Sequence, residues 1–355
     1  MKTLVFGAGP TGSLYAARLF EAGHDITLLD RGQRLEDLRE YGVVLDDAFT
    51  GQREVHHIPV VEEFGEDDDY DLVMVVMRKN QAQQILPLLA KNHRVGTFLF
   101  LMNNAAGPEE LVKALGKERV MVGLPSSGGY HQGSVTTVMP TKMAPIPVGE
   151  VDGRITERTR TVARFLSTMR DKKARIRTDM DAYLVTHISM LAAHLGVYAA
   201  GLDGERFAKT RDAIVLGLRA QKEAMRAQRA AGIPVRPPSF RAVNLVPEAF
   251  MVALMRPVAK TDLYKAGIIG HARAARDEIS HLLDEFRDRV APGGVAMPAF
   301  EELARYVDEE TKPMPPGRRQ VPMRWKGVVA LGLGLTSASA LIAWRSKKKT
   351  GSVLG

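Results

Sequence analysis

A chain of 355 residues has room for two domains, each with its own core. It holds no cysteine, which excludes disulfides, a thiolate nucleophile and cysteine-ligated zinc, and suits a reducing compartment. The formal charge of +8 is not a nucleic-acid signature: six basic residues and no acid lie in 324–355, leaving 43 basic against 41 acidic residues elsewhere.

Lys2 to Phe6 reads as a buried strand, so no signal peptide is expected. The turn after it fits G-x-G-x-x-G with Gly7, Gly9 and Gly12, and carries Pro10 and Thr11. Ser13 to Ala22 has apolar residues at helical spacing, and Asp25 to Leu29 is a second strand ending in Asp30 and Arg31. Strand, glycine turn, helix and strand form the context of a dinucleotide site, with the diphosphate on the helix N-terminus. Asp30 suits the 2′-hydroxyl of NAD, whereas Arg31 and Arg34 suit the 2′-phosphate of NADP.

Arg34 to Tyr41 reads as a helix, and Gly42–Leu45 with Glu54–Val61 as an antiparallel excursion. The runs 71–77 (DLVMVVM) and 97–102 (TFLFLM) are expected as central parallel strands, followed by Arg78-Lys79-Asn80-Gln81 and Asn103-Asn104-Ala105-Ala106-Gly107. Val120–Leu124 is a further strand, ending in a polar turn at 125–129. Ser134–Met139 and Ala144–Val148 are expected to close the sheet as an antiparallel pair, before a helix over 156–169 and a last strand at 174–177. This alternation predicts a doubly wound α/β domain over 1–178, with ligands beyond the carboxyl ends of its strands.

From 179 to 310 only helical patterns recur: 180–200, 205–231, 240–255, 262–287 and 298–307. This is expected as an all-α domain for substrate and dimerisation. Residues 311–326 read as a proline-rich basic linker, 327–344 as a transmembrane helix and 345–355 as a basic tail. The eighteen residues of 327–344 carry no charge and would span about 27 Å as a helix. Trp325, Trp344 and flanking cations supply interface anchors. The expected location is a cytoplasmic body tethered to a membrane.

The chain resembles the ketopantoate reductase family over roughly residues 1–290, most closely at FGAGPTGSLYAARLFEAGHDITLLDRGQRLEDLREYGV, DLVMVVMRKNQ, LMNNAAGPEEL and GHARAARDEI. The resemblance implies a Rossmann domain with a helical C-terminal domain. It also implies hydride transfer from NADPH to the ketone of a 2-keto acid. Carried over, Arg31 would bind the 2′-phosphate and Arg78 would face it. Asn104, with Asn103 beside it, would lie near nicotinamide and substrate, and Glu278 would bind substrate. The family's proton donor is a lysine on the first helix of the second domain, four residues before an asparagine. Here Tyr183 and His187 take those places, and no lysine occurs between Lys173 and Lys209.

A ketone reduced by hydride leaves an alkoxide that an acid must protonate. His187 has a suitable ordinary pKa, and Tyr183 lies one helical turn before it. His187 and His194 equally fit core histidines, and Lys79 and Lys265 fit surface cations. The residues therefore lead to an NAD(P)H-dependent reductase of a small 2-keto acid, with NADP(H) preferred and NAD(H) possible. The catalytic candidates are His187, Tyr183 and Asn104. A binding-only sensor or scaffold, and a dehydrogenase of another small alcohol, stay open. A homodimer is a further option.

Overall fold

The computed structural model describes residues 1–140 and 144–324. The strands are β1 (Lys2–Phe6), β2 (Asp25–Leu29), β3 (Val43–Asp47), β4 (Arg53–His56), β5 (Val60–Val61) and β6 (Leu72–Val75). They continue with β7 (Phe98–Leu101), β8 (Val120–Gly123), β9 (Ser127–Gln132), β10 (Val135–Pro140), β11 (Ile146–Glu150) and β12 (Ala174–Ile176). One eight-stranded sheet has the order β12-β11-β8-β7-β6-β1-β2-β5, parallel except where β11 meets β8. Helices cover both faces, so every residue of β6 and β7 is buried, as the continuous apolar runs require. Helices α1 (Pro10–Glu21), α2 (Gly32–Tyr41), α3 (Lys79–Lys91), α4 (Glu109–Leu115) and α5 (Glu157–Leu166) complete this layer. Leucines of α1 and α5 share one core, those of α3 and α4 another.

A second sheet, ordered β4-β3-β10-β9, lies over α1. This corrects the expected closing pair. β10 pairs antiparallel with β9 and parallel with β3, whereas β11 joins the main sheet between β8 and β12. The stretch 125–129 reads as a turn because serine and glycine disfavour strands, yet β9 begins at Ser127. Gly129 has a steric reason. A Cβ on Gly129 would sit 2.1 Å from the Thr137 carbonyl oxygen and 3.0 Å from Pro10 Cβ.

The second half is helical, but its long elements are broken. The stretch 180–200 divides into α6 (Met180–Leu191), a 3₁₀ turn (Ala192–His194) and α7 (Leu195–Ala199). Thr210 leaves helical geometry between α8 (Gly204–Lys209) and α9 (Arg211–Ala230), and its hydroxyl donates to the Arg206 carbonyl at 2.7 Å. Then follow α10 (Glu248–Val258), the single turn α11 (Asp262–Tyr264), a π-helical turn (Lys265–Ile269), α12 (Gly270–Ala274), α13 (Arg276–Val290) and α14 (Pro298–Ala304). The stretch 262–287 is thus four segments rather than one helix.

The expected linker does not stand away from the body. Met314 is buried, and its N–H donates to the Ala199 carbonyl at 2.8 Å. The Asp212 carboxylate accepts from the N–H groups of Gln320 (2.7 Å) and Val321 (3.1 Å). An extended proline-rich chain has no internal partners for its amides, and buried carboxylates supply them. The stretches 327–344 and 345–355 lie outside the described residues. Among the described residues one stretch, Met180–Ala199, is long and apolar enough to cross a membrane, and it is mostly buried in the helical core.

The two halves meet where α13 crosses the carboxyl ends of β6 and β7. Lys79, expected at the surface, is fully buried, with Nζ 3.3 Å from Glu110 Oε2 and 3.4 Å from Glu285 Oε1. Glu285 Oε2 also accepts from the N–H groups of Ala105 and Ala106, each at 3.3 Å. Lys79→Met should therefore leave the Glu285 charge poorly compensated and cost about 3 kcal/mol in urea unfolding. A loss below about 1 kcal/mol would show that this latch does not hold the halves together.

Candidate active site

The glycine turn is built as its spacing requires. Gly7 has φ +109°, and a Cβ there would lie 2.6 Å from the Val76 carbonyl oxygen. A Cβ on Gly12 would lie 1.9 Å from the Gly7 carbonyl oxygen. Gly9 differs: nothing lies within 4 Å of where its Cβ would be, so that space is open to a ligand. Gly9 caps α1 without a side-chain hydrogen bond, and Pro10 opens the helix. The free N–H groups and positive end of this helix fit a dinucleotide diphosphate. Thr11 is committed to the protein, its Oγ1 donating to the Ser127 carbonyl at 3.1 Å.

At the end of β2, Asp30 accepts from Ala8 N–H (2.7 Å) and from Arg31 N–H (2.8 Å). The carboxylate thus stiffens the glycine turn. Arg31 is exposed at the start of α2. Arg34, expected to share the phosphate, instead ties α1 and α2 to the second sheet. It donates to Ser13 Oγ (3.2 Å), Thr136 Oγ1 (3.0 Å) and the Ser134 carbonyl (3.1 Å). His131 joins this group, with Nδ1 3.0 Å from Thr136 Oγ1. The surrounding protein, then the Arg34 guanidinium, lower its imidazole to about 4. Sequence reasoning missed His131 because it falls between the expected turn at 125–129 and the expected strand from Ser134.

At the carboxyl ends of β6 and β7 three expectations change. Arg78 points to the helical region: Nη1 lies 2.8 Å from Asp277 Oδ1, and Nη2 donates to the Ala274 carbonyl. Asn80 Nδ2 donates to the other Asp277 oxygen at 3.1 Å. Asn104 is turned into its own loop, where Nδ2 donates to the Gly107 carbonyl (2.8 Å) and Oδ1 accepts from Gly107 N–H (3.1 Å). With both ends of its amide engaged, Asn104 shapes the turn. Asn103 is the residue that reaches across, donating from Nδ2 to Glu278 Oε1 at 3.2 Å. Glu278 is 4% exposed. Burial raises its carboxyl pKa, against the opposing pull of Asn103 and Arg78.

His187 does not keep the ordinary value assumed for it. Burial, with His194 and His271 nearby, pushes it down to about 4, and burial with His271 does the same to His194. At neutral pH His187 is an uncharged imidazole, which is a poor proton donor. Tyr183, a turn earlier, packs on the apolar layer beneath α3 and α4. The Arg177 guanidinium lies 4.3 Å from its ring centre. The structure brings together Asn103, Glu278 and Arg78, and engages Asn104 elsewhere. The sequence signal for Asn103 was the doubled asparagine. Nothing in the one-dimensional pattern said which amide the turn would consume.

Elsewhere among the described residues, Glu21, Glu54 and His56 place possible metal-ligand atoms within 4.8 Å of one another. Arg18 lies 2.7 Å from Glu54 and 3.3 Å from Glu21, and Arg170 lies 3.5 Å from Glu21, so the carboxylates already have cations. This is an ion-pair network. For the cofactor site, Gly9→Ala should leave the melting temperature unchanged, because its Cβ meets no protein atom, yet weaken NADPH binding about 100-fold. Fluorescence titration showing unchanged affinity would remove this turn from the cofactor site.

With that geometry in view, comparison with known proteins gives a consistent result. Residues 3–153 match the family model described as ketopantoate reductase PanE/ApbA. Over 128 residues the chain is 30% identical to the "uncharacterized oxidoreductase YkpB" of Bacillus subtilis (strain 168), a match over 35% of this chain and 40% of that protein's length. In three dimensions it is similar to 2-dehydropantoate 2-reductase from Geobacter metallireducens GS-15, with TM-score 0.70, 19% identity and coverage of 87% of this chain and 100% of that one. It is also similar to D-mandelate dehydrogenase in complex with NADH and anilino(oxo)acetate, with TM-score 0.66, 16% identity and coverage of 86% and 97%. These structural likenesses establish the Rossmann-like fold with a helical C-terminal region. The sequence match to the ketopantoate reductase PanE/ApbA family model is confined to residues 3–153, the Rossmann-like part of the chain, and the match to the Bacillus subtilis protein spans 40% of that protein's length.

Proposed function

We propose that this protein is an NAD(P)H-dependent reductase that converts a 2-keto acid to a 2-hydroxy acid. The observation that carries the reading is the Asn103–Glu278 pair, set at the carboxyl ends of the central strands beside Arg78. Bound nicotinamide would supply the hydride. The chain's own residues would do the rest. The open space over Gly9 admits the diphosphate, and the first turn of α1 holds it. Glu278, kept protonated to higher pH by burial, donates its proton to the oxygen that gains charge at C2. Asn103 orients that carboxyl, and the partly exposed Arg78 offers a positive charge to the substrate carboxylate. Glu278 thus replaces His187 as the acid in this reading.

NADP(H) is the preferred cofactor and NAD(H) the alternative. Arg31 is exposed where a 2′-phosphate would lie, and both Asp30 oxygens already accept backbone N–H groups, which lessens their repulsion of phosphate. A similar structure solved with NADH supports a nicotinamide cofactor. The absence of a lysine on α6 favours a second reading, in which the fold binds the cofactor without turnover.

Glu278→Gln should lower kcat about 100-fold or more while NADPH affinity changes less than about threefold. For the wild type, kcat should fall as pH rises through the elevated Glu278 pKa, because the donor is then lost. NADPH oxidation at the wild-type rate by the glutamine variant would exclude Glu278 as the acid. No oxidation with any 2-keto acid, despite tight NADPH binding, would favour the second reading.

The reading includes a membrane tether through 327–344. Its support is the uncharged sequence flanked by tryptophans and cations, and the surface beside which the described chain ends. Arg324 N–H donates to Glu248 Oε2 at 2.8 Å, in the first turn of α10. That helix exposes Phe250, Leu254 and Val258 one turn apart. Full-length protein should sediment with membranes, and a chain lacking 327–355 should be soluble and still bind NADPH. Full-length protein in the soluble fraction would contradict the tether.

A further inference from the structure

Five large apolar side chains stand exposed between 245 and 263: Leu245, Phe250, Leu254, Val258 and Leu263. Leu245 is 77% exposed and Phe250 58%. Phe250, Leu254 and Val258 recur every four residues along α10 and so form one stripe, while Met251, Val252 and Met255 turn to the helical core. Leu245 stands three residues before this helix, and Leu263 lies in α11 after it. The other exposed large apolar side chains, from Phe20 to Ile155, all belong to the Rossmann half. Single exposed apolar residues are ordinary, whereas a stripe of them marks an interaction surface.

A cationic hollow opens at the N-terminal end of the stripe, with Leu245 in its wall. It encloses about 510 Å³ of space, its mouth included. Its cations are Arg219, Lys222, Arg226 and Arg324, and its carboxylates are Glu223 and Glu248. Both carboxylates are committed. Glu248 pairs with Arg219 at 2.7 Å, and Glu223 Oε2 accepts from the N–H groups of Ala299 (2.8 Å) and Phe300 (3.1 Å). Lys222 spends one N–H on the Val246 carbonyl at 2.7 Å. Four cations against two carboxylates leave the hollow positive, beside an apolar stripe.

The described chain ends at the same place. Arg219 donates to the Pro322 carbonyl at 2.6 Å, and Arg324 N–H is held by Glu248. Only Trp325 and Lys326 separate Arg324 from the uncharged run 327–344. Even fully extended, that connection keeps the start of the run within about 11 Å of Arg324. A run entering a bilayer there brings the first turn of α10 to the headgroups. Two other occupants fit less well. A second copy meeting this face about a two-fold axis would set its cations against one another. The run 327–344 folded back on the stripe would leave the cations unanswered.

We propose that the α10 face rests on an anionic lipid bilayer, with the stripe in the headgroup–acyl boundary and the hollow on lipid phosphates. The proposal deepens the tether reading above and rests on it for the position of the run.

The test uses full-length protein carrying Leu254→Cys, which becomes the only cysteine of the chain and takes an environment-sensitive fluorophore. The protein is reconstituted in phosphatidylcholine vesicles with and without phosphatidylserine. Val55→Cys, exposed on β4, is the reference. With phosphatidylserine, a shallow spin-labelled lipid should quench the Leu254 probe at least about threefold more than the Val55 probe. Lys222→Gln combined with Arg226→Gln should remove about half of that quenching or more, with NADPH affinity unchanged. Quenching that ignores both phosphatidylserine and these two cations would overturn the assignment to anionic lipid. Alkaline carbonate extraction reads the tether separately. Protein that resists extraction while its Leu254 probe stays unquenched overturns the α10 face and keeps the tether. Protein that is quenched in vesicles yet extracted keeps the face and ends the tether. Extraction without quenching overturns both. An unquenched probe in protein that sediments as a dimer gives the face to a second copy, and likewise overturns the proposal.

Discussion

The seating of α13 across the carboxyl ends of β6 and β7 is the contact on which the rest of this structure depends. A parallel sheet exposes loops at those ends, and a single helix supplies partners for three of their features. Asp277 takes Arg78 and Asn80, Glu278 takes Asn103, and Glu285 takes Lys79 and two backbone amides. Each contact is polar and lies at the boundary between the halves, whose apolar cores also interlock there through Met180 and Leu184 on one side and Ala105 on the other. The buried members, Lys79–Glu285 and Asn103–Glu278, add little net stability, but mispairing them is costly, so they fix one relative placement. That placement sets Glu278, Asn103 and Arg78 beside one another.

Burial then decides which titratable groups are useful. It works against charge in both directions, lowering histidines and raising a carboxylic acid. Burial therefore lowers the pKa of the three histidines of the helical region and raises that of Glu278. The cofactor end follows a different rule. There the decisive feature is absence of side chain: Gly9 leaves open space, whereas Gly7 and Gly12 exist because any Cβ would strike a backbone carbonyl.

This contrast explains what was legible in the sequence. The glycine turn and the central strands could be read because local sterics and continuous apolar runs dictate them. Their register needs no partner from the distant helical half. The β9 strand was illegible because Gly129 is required by close approach to Pro10 and Thr137, not by strand preference. Asn103 and Asn104 are equivalent on paper, and only the left-handed Gly107 turn, with φ +99°, settles which one is consumed locally. The character of His187 was misjudged for the same reason: an ordinary pKa belongs to a solvated ring, and solvation is a property of the packed helices. Lys79 looked like a surface cation because the acids that bury it come from α4 and α13.

The most direct measurement is of where hydrogen goes. Full-length protein would be given NADPH carrying deuterium at the transferable C4 position together with a 2-keto acid, and the product examined by NMR. The account predicts a 2-hydroxy acid with one deuterium at C2, formed by the wild type and sharply reduced in Asn103→Ala. Cofactor that binds tightly while no deuterium reaches C2 of any product would contradict it.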